Sequence, residues 1–228
     1  MTQRESGKIV GLMGGTFDPV HNGHLRVALE FKERLGLDAL HLVPAATPPH
    51  RQPPWATAAQ RLTMVQLAIG NNAPLEVDDR ELQRPGVSYT LETLMSLQQQ
   101  LPPQSKIVLL MGSDAFCHFH RWHGWQMIRQ RVQLVLAIRP DHPLRQEDLP
   151  QALQSWFSSS RLVDAQTSAD FAHSPAGTLW QLAVTPLAIS ATHLRQLCAS
   201  GRSIRYLTPD PVWDYIHQNG IYQCKQMS

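Results

Sequence analysis

Gly14-Gly15-Thr16-Phe17-Asp18-Pro19-Val20-His21-Asn22-Gly23-His24-Leu25 stands between two segments of different period. Before it, Ile9-Val10-Gly11-Leu12-Met13 is an unbroken apolar run that reads as a buried strand. After it, Leu25, Ala28, Leu29 and Leu35 recur with helical spacing. A glycine-rich turn between strand and helix is a natural anion site. Gly14 and Gly15 let the backbone come close to a ligand, and the helix start aims free N–H groups at it. His21 and His24, three apart, can put both imidazoles on the ligand side of the first helical turn. Ring donors and backbone amides together suit a polyphosphate whose charge grows in a transition state.

Outward from this unit, strand and helix patterns alternate. Ala39–Pro44 reads as a second buried strand and runs into a proline-rich loop, Pro48 to Pro54. Ala58 to Ile69 has helical spacing through Leu62, Val65, Leu67 and Ile69. Leu75-Glu76-Val77 is a short strand, followed by a charged loop from Asp78 to Gly86 and a helix from about Leu91 to Leu101. Thr90 before that helix reads as its N-cap, alone or together with a ligand contact. Lys106–Met111 is the clearest buried strand, and Gly112-Ser113-Asp114 follows it directly. Val132–Ile138 is a fifth strand; a short helix from Leu149 to Phe157 and strands at Leu162-Val163 and Leu179–Val184 follow. A helix opens at Ser190, and Gly201 closes it. Another begins at Pro211, whose place near the start, with Gly220 beyond the end, follows the usual asymmetry.

Such alternation predicts an α/β fold with a doubly wound, mostly parallel sheet. The polar turns after strands one, two and four lie at strand carboxyl ends, where open parallel sheets bind ligands. With no internal repeat or compositional break, residues 1–228 are expected to form one domain, with a small C-terminal helical element from about residue 190.

The composition narrows the function. A net charge of +2 is too small to argue for nucleic acid or an anionic membrane surface. No run approaches the length of a membrane helix, and the polar residues Met1–Lys8 lack the apolar core of a signal peptide. Cys117, Cys198 and Cys224 are scattered and odd in number, so neither a disulfide framework nor a zinc knuckle is indicated. A cytoplasmic enzyme is the expectation. His118, His120 and His123 have no accompanying cysteine or carboxylate cluster, so no protein-held metal is expected.

A glycine pair after a strand is commonly only a turn, and two histidines three apart are commonly surface residues. Their joint order carries the information. The string G-G-T-F-D-P-x-H-x-G-H resembles the signature of the nucleotidyltransferase superfamily with the H-x-G-H motif. Its opening is most similar to the nicotinate-nucleotide adenylyltransferase branch. Further pieces resemble that branch in order: Pro48-Pro49-His50-Arg51, with Arg51 in the place of a lysine; Ser88-Tyr89-Thr90 with Thr93-Leu94; Gly112-Ser113-Asp114; Trp122; Arg139-Pro140; and Ile189-Ser190-Ala191-Thr192-His193-Leu194-Arg195.

The resemblance implies a Rossmann-like nucleotidyltransferase fold and the joining of ATP, with Mg²⁺, to nicotinate mononucleotide, giving nicotinate adenine dinucleotide and pyrophosphate. It implies catalytic roles for His21, His24 and Arg195. Gly14, Gly15, Thr16, Phe17, Gly112, Asp114, Ser190 and Thr192 would meet ATP. Ser88, Tyr89, Thr90, Trp122, Arg51 and Arg139 would meet the pyridine nucleotide. Read without the resemblance, Ser190 is an N-cap, Arg195 an exposed helix residue, Asp114 a cap, and Trp122 and Trp125 packing aromatics. Asp18 is placed near the site without a defined role. Other readings are a pantetheine-phosphate adenylyltransferase, which does not need the ring site, an aminoacyl-tRNA synthetase, for which the chain is short, and a silent nucleotide-sensing module.

Overall fold

The computed structural model describes residues 7–47, 53–71, 74–139, 143–163, 171–185 and 187–223. The described residues form seven strands of one sheet: β1 (Ile9–Gly15), β2 (Ala39–Pro44), β3 (Glu76–Val77), β4 (Lys106–Gly112), β5 (Gln133–Ile138), β6 (Arg161–Leu162) and β7 (Leu179–Ala183). Their order is β3-β2-β1-β4-β5-β7-β6, and every pairing is parallel. Between them run α1 (Asn22–Leu35), α2 (Ala58–Ile69), α3 (Arg80–Gln83), α4 (Thr90–Gln100), α5 (Ser113–Cys117), α6 (Trp125–Arg131) and α7 (Gln151–Ser158), and after β7 come α8 (Ala191–Ala199) and α9 (Asp210–Gln218).

The central strands β1, β2, β4 and β5 are largely apolar without alternation because both faces of the sheet are covered there. Val108 and Leu110 of β4 and Val135 of β5 enter one core with Phe31 of α1, Met64 of α2, Leu194 of α8 and Ile216 of α9. Leu109 and Leu134 point the other way, to Leu94 of α4, Phe116 of α5, Ile128 of α6 and Trp156 of α7. The doubly wound expectation therefore holds, and α8 and α9 share the core of α1 and α2. The order of the first strands runs outward from β1 through β2 to β3, and the chain then returns to the other side of β1 with β4. The switch point is between β1 and β4, so the turns at Gly14-Gly15 and at Gly112 flank one crevice.

Several expectations need correction. Tyr89, not Thr90, is the N-cap of α4; its carbonyl accepts the Glu92 and Thr93 N–H groups, and Thr90 is the first helical residue. The face of α2 is set by Arg61, Met64 and Val65, which are buried, whereas Leu62, Leu67 and Ile69 are only partly so. The charged loop after β3 contains α3, one short turn whose buried Glu81 accepts from the Thr93 hydroxyl at 2.7 Å. So short a turn carries no periodic signal. β6 is displaced by one residue from Leu162-Val163, since only Arg161 and Leu162 pair with β7. Arg51 lies outside the described residues, as do Pro48 to Gln52 around it.

Candidate active site

At the end of β1, a Cβ added at Gly14 would meet nothing within 4 Å among the described residues, so this face of the turn is open to that extent. Gly15 is different. A Cβ there would stand 2.9 Å from the Phe17 ring. Phe17 has a left-handed φ of 49° and is buried, and its ring meets that of His24 edge-on with centroids 5.2 Å apart. Phe17 therefore offers a ligand backbone rather than ring, and its ring braces the second histidine.

His21 is the N-cap of α1, and the His24 N–H is bonded to its carbonyl at 2.9 Å. The His24 Nδ1 accepts the His21 N–H at 3.3 Å. A neutral His24 must then carry its proton on Nε2, where it can donate outward. The two rings stack at 3.7 Å between centroids. The Nδ1 of His21 is buried without a hydrogen-bond partner. Gly23 lies beneath it: a Cβ at that position would come within 3.0 Å of this atom. The glycine of H-x-G-H is thus explained by the room the His21 ring needs.

Burial, then the charge of Arg139, pushes the pKa of His21 down to about 4. Burial, then His21, pushes His24 down to about 3. Both imidazoles are neutral at neutral pH. The same shifts predict how stability depends on pH. In the unfolded chain both rings gain protons below about 6.5, whereas in the folded chain they resist until about 4 and 3. Their contribution is fully present above the unfolded value and is lost as pH falls from there toward the folded values. Urea midpoints should fall between pH 7 and pH 4, and less steeply in a His21→Asn/His24→Asn double variant. An equal slope in the two proteins would refute the assignment.

Asp18 has a definite place. Its carboxylate accepts the Trp55 N–H at 2.9 Å, the Ala56 N–H at 3.1 Å and the Tyr222 hydroxyl at 2.7 Å. Its carbonyl accepts Nη1 of Arg195 at 2.7 Å, and that nitrogen is 3.9 Å from the carboxylate. Nη2 of Arg195 donates to the Thr192 hydroxyl at 3.1 Å. Arg195 is therefore a clamped guanidinium with only 20% of its side chain exposed, not a surface helix residue. Ser190 does cap α8, accepting the His193 N–H at 3.2 Å. Arg195, and through it Thr192, is thereby tied to the loop that carries the histidines.

Across the switch point, Gly112 and Asp114 are both exposed. Helix α5 begins without a side-chain cap bond, so Asp114 is not a cap. Arg139 follows β5 directly, and its charge is felt by His21. Ser88 is buried and its hydroxyl is engaged: it accepts the Ala46 N–H at 2.9 Å and hydrogen-bonds Glu81. It anchors the loop after β2 instead of facing outward. The Tyr89 ring packs against that of His123 at a tilt of 38°, with centroids 4.6 Å apart, which brings the start of α4 against the turn carrying Trp122. Trp122 is half-buried against Phe119 at 5.4 Å, and Trp125 packs edge-on against the same ring.

Two residues with structural control of the site are not visible in local spacing. Arg61 is 1% exposed. It donates to the carbonyls of Thr16 at 2.9 Å, Ala45 at 2.6 Å, Ala46 at 3.0 Å and Ala56 at 3.3 Å. It joins the turn after β1 to the turn after β2. An arginine on the core face of an amphipathic helix was the available signal. Tyr222 is the other, and nothing near it in sequence announces its partner. Among the described residues no group of three or more His, Cys, Asp or Glu side chains could hold a metal ion, and no helix is long and apolar enough to cross a membrane.

Residues 12–197 match the family model described as cytidylyltransferase-like. A protein of Pseudomonas syringae pv. tomato named "Probable nicotinate-nucleotide adenylyltransferase" is 44% identical over 214 residues, covering 94% of this chain and 93% of its own. One of the same name from Dechloromonas aromatica is also 44% identical, over 94% of this chain and 97% of its own. Among solved structures, Plasmodium falciparum nicotinic acid mononucleotide adenylyltransferase complexed with NaAD superposes with a TM-score of 0.70 at 15% identity. That match covers 94% of this chain and 97% of the other.

Proposed function

This chain belongs to the nicotinate-nucleotide adenylyltransferase family, and we propose on that footing that it transfers the adenylyl group of ATP to nicotinate mononucleotide. An oxygen of the mononucleotide phosphate attacks the α-phosphorus of ATP in line. The bond from that phosphorus to the oxygen bridging toward the β-phosphate breaks, pyrophosphate leaves, and nicotinate adenine dinucleotide remains. An ionised phosphate is already a nucleophile near neutral pH, so no general base is needed. Catalysis is alignment and charge stabilisation.

The observation that carries this reading is the histidine pair: two stacked, neutral imidazoles at a helix start, on an open glycine turn at the switch point of a parallel sheet. In this reading the His21 and His24 rings and the amides of α1 stabilise the phosphates as charge moves onto them. Arg195 takes the departing pyrophosphate, with Ser190 and Thr192 beside it. Gly14, Gly15, the backbone of Thr16 and Phe17, and Gly112 line the nucleotide's path, and Asp114 faces its ribose hydroxyls. The described residues do not form a cage for Mg²⁺. The Asp18 carboxylate is also engaged with backbone and Tyr222. In this reading Mg²⁺ would come with ATP, as part of the substrate, and would supply charge neutralisation of its phosphates.

The pyridine ring is assigned to the start of α4, with Tyr89 and Thr90, and to the face of Trp122; Arg51 and Arg139 provide positive charge. A helix N-terminus offers N–H donors, so it favours the carboxylate of nicotinate over the amide of nicotinamide. A donor left facing a donor in a closed site costs about 1–3 kcal/mol, which is roughly a tenfold to hundredfold preference. Pyrophosphate release from ATP with nicotinate, nicotinamide or pantetheine phosphate acceptors tests the assignment directly. Nicotinate mononucleotide should be the best acceptor. Trp122→Ala should weaken both pyridine nucleotides and leave their ratio nearly unchanged, since stacking does not read the substituent. A better rate with nicotinamide mononucleotide would exclude the ring site, and activity confined to the pantetheine acceptor would exclude the whole reading.

A further inference from the structure

Arg195 owes its position to Asp18, and Asp18 is held in turn from the far end of the chain. Tyr222 is 204 residues away in sequence from its acceptor. To reach it the chain leaves α9 through two left-handed residues, Gly220 at φ 60° and Tyr222 itself at φ 65°. That conformation is unfavourable for a bulky side chain and persists where surrounding structure over-determines it. Here the phenol is 5% exposed and its hydroxyl is 2.7 Å from Oδ1 of Asp18. Burial and the neighbouring carboxylate push the phenol's pKa up, so it remains a donor. The other oxygen of Asp18 is the one 3.9 Å from Arg195.

We infer that Tyr222 is a positioning residue for adenylyl transfer. Its hydroxyl fixes the Asp18 carboxylate, and Asp18, through that carboxylate and its carbonyl, sets the guanidinium of Arg195 toward the ATP phosphates. The inference rests on the proposed role of Arg195. With Nη1 bonded to the Asp18 carbonyl and Nη2 to the Thr192 hydroxyl, the orientation of the fork is fixed before a phosphate arrives. A phenol whose only task were packing would be replaced by phenylalanine without consequence for one substrate in particular.

The test is a double-mutant cycle in the full-length chain: wild type, Tyr222→Phe, Arg195→Ala and both together. Initial rates are measured against ATP and against nicotinate mononucleotide, with thermal midpoints and ATP affinity by titration calorimetry. Tyr222→Phe should lower kcat/KM for ATP by about tenfold, the scale of one hydrogen bond to a charged group. The KM for the mononucleotide should stay within about twofold, because none of the described residues assigned to it is bonded to Asp18. In the Arg195→Ala background the second change should cost nothing further, in rate or in ATP affinity. The inference is overturned by an unchanged Tyr222→Phe enzyme, by equal losses on both substrates, or by the same loss with and without Arg195. Calorimetry keeps the cycle readable when Arg195→Ala turns over too slowly to measure. A wild type that binds ATP but makes no dinucleotide would overturn the proposed reaction, while the affinity cycle would still judge Tyr222.

Discussion

Replacing His24 by alanine is expected to lower turnover roughly 10²–10³-fold, the cost of losing one preorganised donor at a site of developing charge. The Nδ1 of His24 is occupied by the His21 N–H, so the Nε2 proton is the group removed from the transition state. Alanine also removes the ring stacked on His21 and braced by Phe17, so stability changes with it. His24→Asn separates the two effects, since its side-chain oxygen can still accept the His21 N–H. Both variants should lose turnover alike while KM for the mononucleotide changes little. A folded His24→Asn enzyme with near-normal turnover would remove His24 from the mechanism.

The largest expected effect on stability is at Arg61. Arg61→Met keeps the stem and removes the guanidinium, leaving the carbonyls of Thr16, Ala45, Ala46 and Ala56 without their donor. It also strips a nearby positive charge from buried Asp18. A buried acceptor left without its donor costs about 1–3 kcal/mol, so several together are expected to lower Tm by about 10 °C for a chain of this size. Arg61→Lys should recover only part of this, because one ammonium cannot reproduce the planar fork. Differential scanning calorimetry of the three proteins reads the result. A midpoint for Arg61→Met within a degree or two of wild type would show that the carbonyls find other donors and that the turns after β1 and β2 do not depend on Arg61.

The Arg61 case also shows where sequence reading stops. Helical spacing identified α2 through Leu62, Val65, Leu67 and Ile69, of which only Val65 is fully buried, because it weighed apolar residues and passed over an arginine. The buried face is decided by four carbonyls on two turns that local periodicity does not register. The cap of α4 failed for a related reason. Thr90 is the better capping side chain, but the path of the chain from Ser88, pinned to Ala46, ends the extended backbone at Tyr89.

By itself the sequence determined the central strands, since an unbroken apolar run can be satisfied only between two covered faces, whereas the two-residue edge strands β3 and β6 carry no such run. It determined the βα order as well, and with it a parallel sheet whose ligand turns share one edge. The motif from Gly14 to His24 is legible because its residues are neighbours on one turn, and neighbours leave a spacing. Only the tertiary structure decided that β4 returns beside β1 and opens the switch point there. It also decided that burial keeps the two histidines neutral, and that Asp18 is joined to Arg195 and Tyr222 across 177 and 204 residues. Those bonds depend on which distant surfaces the folded sheet brings together, and a spacing rule that reaches one helical turn or one strand pair carries no record of them.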